Sequence, residues 1–277
     1  MRARGKKAII PGFGCSMGLT VAFVSLLILI PMASIVLEAT RLGLSGFVRT
    51  VTDARVLAGY RVSFTCAFAA ALLNCFFGLL LAWVLVRYRF PGRRLMDGLI
   101  ELPFALPTAV AGIALTALYS DKGWIGSLFA PAGIKIAYAQ AGIIIALTFV
   151  TIPFVVRTVQ PVLEQLDKSY EEAGRILGAS KTRIFFRIVF PEITPALLTG
   201  FGLAFARALG EYGSVVFIAG NMPFKTEIAP LLIMSKLEGF SYGEATAVAL
   251  VMLAASFVIM FCINRVQAHA SGFAGEL

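Results

Sequence analysis

Two groupings of ionisable residues in this chain have a spacing that could do work. The first is Arg207 with Glu211, four positions apart in the run Ala206-Arg207-Ala208-Leu209-Gly210-Glu211-Tyr212-Gly213-Ser214. On a helix these two share a face, so guanidinium and carboxylate can pair and offset the cost of an apolar surround. Two uses follow: the cation stabilises a passing dianion, or Glu211 neutralises it and the pair fixes helix packing. A strongly binding cation in a path slows release, and Glu211 is adjacent to offset it, which favours packing. The second grouping sets Glu164, Asp167, Glu171, Glu172 and Glu192 against Lys168, Arg175, Lys181, Arg183 and Arg187. A helix lying on lipid would be strongly basic, so five acids against five bases point to a partner protein's grip. Covalent chemistry is not indicated. No nucleophile with a base and an orienting acid can be assembled, and Cys15, Cys66, Cys75, Cys262 and the single His269 have no metal-ligand spacing. A Gly-x-x-x-x-Gly-Lys-Ser/Thr loop is absent, so nucleotide binding by a P-loop is not expected.

The elements that position these groups are apolar. The 277 residues are 59% hydrophobic and 14% charged, with mean hydropathy +0.88, where a soluble domain carries about a quarter charged residues. Six stretches reach the roughly 20 residues a spanning helix needs, at 13–37, 62–86, 99–119, 141–160, 196–219 and 245–264. The first is too long for a signal-peptide core, so an uncleaved span is expected. The formal charge of +9 is explained by orientation rather than by nucleic acid. Fifteen of the 24 Lys and Arg fall on one side of these spans, beginning with Arg2, Arg4, Lys6 and Lys7; eight fall on the other and Arg207 lies within a span. Both termini are therefore expected in the cytoplasm. All four cysteines fall in spans, as small apolar residues.

Local signals shape the charged segment. Ser169 with Glu172 three residues on reads as a capping box, starting a short helix with Ala173, Ile176 and Leu177 on one side. Gly178 can take the left-handed conformation that ends it, and Ser180 can cap a second helix with Ile184, Phe185, Ile188 and Val189 on one face. Pro191 is expected to close the unit. In the third span, Pro103 and Pro107 each remove a backbone donor, and such a break suits the lining of a path as well as a static kink. Gly200, Gly202, Gly210 and Gly213 allow close helix approach, as at a subunit seam.

Glu172-Ala173, Gly178, Ile188 and Pro191 resemble the cytoplasmic "EAA" loop of type I ABC importer permeases. Gly174 stands where that pattern has a second alanine, and Phe190 where it has leucine. The stretches Leu102–Gly112, Arg207–Asn221 and Met222–Ile228 are similar to the sulfate/thiosulfate permease subunits of the CysT (CysU) family, over nearly the whole chain. The resemblance implies an all-α, polytopic fold with six transmembrane helices and no covalent chemistry of its own. It implies an N-terminal segment, first span and outer loop over 1–57, a permease domain over 58–265 with its coupling loop at about 166–191, and a tail over 266–277. Glu172, Ala173, Gly174, Ile176, Leu177, Gly178, Ile188 and Pro191 would couple to an ATPase; Pro103, Pro107, Arg207, Glu211 and Tyr212 would line a path or gate. It implies a bacterial inner-membrane location and no cofactor in this chain, ATP and Mg being used by the partner ATPase. Partners would be a second, CysW-like permease, two CysA-like ATPase subunits, a periplasmic sulfate/thiosulfate-binding protein and the lipid bilayer, with no nucleic acid. Molybdate permeases share much of the fifth-span pattern, so another oxyanion is the alternative cargo. An ion-coupled secondary transporter would show buried ionisable relays or paired inverted repeats. The chain offers a single intramembrane pair. A membrane enzyme ranks last.

Overall fold

The computed structural model describes residues 13–274, with side chains described as far as Gln267. Arg2, Arg4, Lys6 and Lys7 lie outside the described residues, as do the side chain of His269 and the last three residues of the tail. All regular structure among the described residues is helical. In chain order the main helices are α1 (Phe13–Thr40), α2 (Gly43–Val51), α3 (Ala54–Arg87), α4 (Arg93–Ile100), α5 (Thr108–Tyr119), α6 (Gln140–Gln165), α7 (Lys168–Ile176), α8 (Lys181–Leu209), α9 (Ala229–Glu238) and α10 (Tyr242–Ala274). Among the described residues five of these, α1, α3, α6, α8 and α10, are long and apolar enough to cross a membrane; α5 is a shorter apolar helix.

Several expectations are corrected. The third stretch is not one helix. Leu106 and Pro107 are extended, with ψ of 136° and 130°, so α5 starts afresh at Thr108. The cause is local, since a proline ring pushes the preceding residue out of the helical region and cannot donate. The fifth stretch also breaks: α8 stops at Leu209, and a one-turn helix, Val215–Ile218, follows the turn. The segment 38–60, expected as an outer loop, is largely helical, holding the end of α1, α2 and the start of α3. There α3 begins at Ala54 because the Asp53 carboxylate accepts from the Arg55 and Val56 amides. The fourth stretch runs on to Gln165 through Pro161.

Helix α3 has 34 residues. At 1.5 Å per residue it is about 51 Å long, against a hydrocarbon core of about 30 Å, so its ends stand clear of the lipid tails. It packs along α6, and α8 lies against both. Lipid is as apolar as leucine, so what holds these helices together is close fit and hydrogen bonding rather than water exclusion. Both are present. Asn74, fully buried, donates to Thr151 Oγ1 at 2.7 Å and to the Thr148 carbonyl at 3.2 Å. A Cβ at Gly78 would come within 2.9 Å of Val155 Cβ, and one at Gly200 within 2.9 Å of Val155 Cα. Gly200 therefore serves a seam inside this chain, as do Gly202 against Ile263 of α10 and Gly213 against Thr108; Gly210 meets nothing within 4 Å. For three of the four glycines the close approach is thus made within the chain. Outside this core, α10 rests on α8 and α9, and the second half of α1 rests on α10.

Candidate functional site

Two regions gather the residues singled out by sequence. The first is the α7–α8 projection. Asp167, not Ser169, caps α7: its Oδ1 accepts from the Ser169 amide at 2.9 Å. A carboxylate is a charged acceptor at the positive end of the helix, and it takes the cap from the serine hydroxyl two residues on. That amide bond holds the Asp167 carboxyl below its ordinary pKa. Helix α7 ends as expected. Gly178 sits at φ +78°, the Gly178 amide donates to the Arg175 carbonyl and the Ala179 amide to the Gly174 carbonyl, a Schellman closure. Ser180 then caps α8, its Oγ accepting from the Arg183 amide.

Gly174 is buried, and a Cβ there would stand 3.1 Å from Ile184 Cγ1 and 3.3 Å from Ile188 Cδ1. Its loss of helix propensity is thus offset by the close seating of α7 on α8. Ala173, Ile176 and Leu177 face outward, the latter two 86% exposed. Two large aliphatic side chains this bare on a short polar helix need a cover from elsewhere. Pro191 does not close the unit. It is exposed within α8, directly after a π turn over Phe185–Val189 in which the Phe190 amide reaches back to the Phe185 carbonyl. The wider turn relieves the conflict between the Pro191 ring and the preceding carbonyls, so the helix continues to Leu209.

Behind α7 lies a basin of about 380 Å³ whose walls include Trp83, Arg87, Lys168, Glu171, Glu172 and Lys181. There Arg87 Nη2 stands 2.6 Å from Glu171 Oε1, the two side chains only 10% and 12% exposed. Sequence spacing gave no hint of this pair.

The second region is where the two broken spans meet. Glu211 lies past the end of α8, not on its face, yet the pair with Arg207 forms, Nη1 to Oε2 at 2.6 Å. The other oxygen of Glu211 accepts from the amide and the hydroxyl of Ser214 at 2.9 and 3.0 Å, so the carboxylate, 2% exposed, is met on both sides. Arg207 stays 37% exposed. Gly213 and Gly112 bring this turn onto the start of α5: a Cβ at Gly213 would lie 2.1 Å from Thr108 Oγ1, and one at Gly112 2.4 Å from the Ser214 carbonyl. Pro107 is exposed at this junction, whereas Pro103 is buried in the preceding one-turn helix. Tyr212 borders a groove of about 400 Å³ shared with Leu209, Pro230 and Met252.

Three further ion pairs join distant segments and were not legible. Arg55 clasps Glu227 with Nε and Nη2 at 2.7 and 2.6 Å, Glu227 being 1% exposed. Arg157 of α6 reaches Asp97 at 2.7 Å and Glu101 at 2.8 Å, tying down α4 and the segment before the break.

Helices broken in mid-span, packed on one another around two unbroken ones and carrying an amphipathic helix pair at one end, define a multi-pass membrane permease. Residues 74–271 match the family described as binding-protein-dependent transport system inner membrane component, and the chain belongs to that family. It is 47% identical over 269 residues to the sulfate transport system permease protein CysT of Salmonella typhimurium, covering 97% of each chain. In fold it is similar to a bacterial ABC transporter involved in the import of the acidic polysaccharide alginate, with TM-score 0.76 and 15% identity over 92% of this chain and 94% of that one. A second similar structure is the alginate transporter in complex with an alginate pentasaccharide-bound periplasmic protein, with TM-score 0.74 and 17% identity over 91% of this chain and 92% of that one.

Proposed function

We propose that this chain forms half of the path by which an ATP-driven importer carries sulfate or thiosulfate across the bacterial inner membrane, with both termini in the cytoplasm. The observation that carries the coupling part of this reading is the α7–α8 projection: a helix closed by Gly178, seated on α8 through Gly174, with Ile176 and Leu177 bare. Such a surface fits a groove on an ATPase subunit that closes with nucleotide and pushes on the helices it meets. Glu172, Ala173 and Ile188 belong to the same projection, and Pro191 to the helix that leaves it. The anion is supported by the likeness, at 47% identity, to the Salmonella sulfate transport system permease protein; molybdate or another oxyanion is the alternative.

The working complex would add a second, CysW-like permease, two CysA-like ATPase subunits and a periplasmic sulfate/thiosulfate-binding protein. ATP and Mg would be used by the ATPase subunits, with no cofactor held here. The permease domain would span about 58–265, with the first span as an addition in front. At the junction of the broken spans, Pro107, Arg207 and Glu211 would border the path, with Pro103 and Tyr212 supporting it. Two Ser214 donors and Arg207 satisfy Glu211, which supports the packing use of the pair over direct capture of the anion.

The test is uptake of labelled sulfate by a strain lacking only this chain, complemented with the wild type or with Gly178→Ile, in the presence and absence of molybdate. Restored uptake by the wild type and its loss with Gly178→Ile, the protein still being in the membrane, is the expected result. Full uptake by Gly178→Ile counts against the coupling role, and equal competition by molybdate against sulfate selectivity.

A further inference from the structure

The coupling projection has to pass its displacement to the membrane helices, and the structure offers two routes. One is the backbone from α7 through Gly178 into α8. That route crosses a left-handed glycine, at which α7 stops and the chain turns rather than continuing as one rod. The other crosses space to α3. Arg87 is the last residue of α3, and Glu171 lies in the first turn of α7.

The Arg87–Glu171 contact has the marks of a built link rather than of a solvated surface pair. Both side chains are about nine-tenths shielded, so salt and water screen the pair far less than an exposed one. The guanidinium also lies over the Trp83 ring at 5.5 Å, and Trp83 in turn stands edge-on to Phe185 of the π turn at 5.3 Å. The Trp83 contact reaches the α8 side of the projection; the Arg87 contact reaches α7 itself. Nη2 and Oε1 are paired at 2.6 Å off hydrogen-bond alignment, and Arg87 Nε is shut from solvent without a hydrogen-bond partner. The guanidinium is thus held by charge and by its place over the Trp83 ring, and the second of these suits a planar arginine better than a lysine. Glu171 Oε2 meets Arg175 only at 3.8 Å, with Arg175 more than half exposed, so Arg87 is the principal counter-ion.

We propose that the Arg87–Glu171 pair is the strut that carries displacement of α7 directly into the long helix α3, and thereby sets how much transport each nucleotide yields. The inference rests on the coupling role proposed above. Neither residue needs to touch the transported anion; both are positioning residues. A push delivered at Ile176 and Leu177 turns α7 against its seat at Gly174, and the strut converts that turn into movement of the α3 end. Because α3, about 51 Å long, packs against both α6 and α8, a displacement of its end is felt across the helix core.

Removing one charge alone leaves the other buried and destabilises on its own account. The decisive variant is therefore the double replacement Arg87→Ala with Glu171→Ala, which removes the strut without stranding a charge. It is assayed in the full complex with its ATPase subunits and binding protein, in vesicles supplied with ATP and labelled sulfate. The ATPase subunits should co-purify as in the wild type and basal hydrolysis should stay within about two-fold, while sulfate moved per ATP falls by about ten-fold or more. A ratio unchanged in an assembled complex overturns the proposal. So does failure to assemble, which would assign the pair to holding the fold. Ile176→Asp with Leu177→Asp separates the underlying reading, since it should abolish co-purification. If ATPase subunits never bind the wild type, or it moves no sulfate, the coupling reading fails first and the strut falls with it.

Discussion

Gly213→Ala probes whether the two broken spans are locked together. The added methyl would lie 2.1 Å from Thr108 Oγ1 and 3.1 Å from Thr108 Cβ. The hydroxyl has to move by more than an ångström, and it can do so by rotating about χ1, so the expected cost is that of ordinary overpacking, about 1–3 kcal/mol. Thr108→Ala removes the clashing oxygen and leaves the Cβ contact, which a shift of a few tenths of an ångström accommodates. The double variant should recover most of the loss, a coupling of about 1–2 kcal/mol between the sites. Gly112→Ala behaves differently. Its methyl would stand 2.4 Å from the Ser214 carbonyl oxygen and 2.8 Å from Ser214 Cα, and no side-chain truncation removes backbone. The roughly 1 kcal/mol that alanine gains over glycine inside a helix does not offset an obstruction of that kind. Thermal unfolding of the detergent-purified protein reads the difference, at about 2–4 °C per kcal/mol for a chain approaching this size. A Gly213→Ala protein with wild-type Tm, or one that Thr108→Ala fails to restore, would refute the packing of α5 on the turn after α8.

Two more outcomes follow from the ion pairs and caps. Arg55→Ala leaves Glu227, 1% exposed, without its two donors; since Arg55 is itself 44% exposed, water replaces part of the loss, and destabilisation of about 1–3 kcal/mol is expected. Glu227→Gln in the same background should recover stability by removing the stranded charge, and a Tm unaffected by Arg55→Ala would show that the clasp contributes nothing. Asp167 has its carboxyl pKa lowered by the Ser169 amide, so its cap is fully present above the unfolded value, about 3.9, and is lost as pH falls through the lower folded value. Hydrogen exchange of the first α7 amides, corrected for intrinsic rates, should lose protection at that acidic end in the wild type. Asp167→Asn, whose side chain accepts without titrating, should show a shallower loss; identical curves would show that the Asp167 cap is not the source of the acid sensitivity.

What the sequence discloses here is set by the distance over which its signals act. Gly178 and Ser180 were legible because a left-handed stop and an N-cap are decided within five residues, and the Arg207–Glu211 spacing identified a pair that forms even though α8 ends between them. The same local logic misassigned the cap to Ser169, since it matched a pattern without weighing the carboxylate two residues earlier. Hydropathy counted residues 196–219 as one span because every residue there but Arg207 and Glu211 suits lipid, and it could not register that Glu211 gathers the Ser214 amide and hydroxyl into a turn. Pro191 misled for the converse reason: a proline reads as a stop, and the π turn that lets the helix pass it has no sequence signature of its own. The clasps Arg55–Glu227, Arg157–Asp97 and Arg87–Glu171 lay beyond any window, two of them joining an end of α3, and the third joining α6, to a segment at least sixty residues away. Arg55 and Arg87 stand at the two ends of α3, and the acids that Arg157 meets lie just before the break ahead of α5. In a medium that gives helices no hydrophobic reason to associate, the joints between interrupted helices are where directional contacts have most to contribute. The residues least legible from sequence are for that reason the ones that join the interrupted helices to one another.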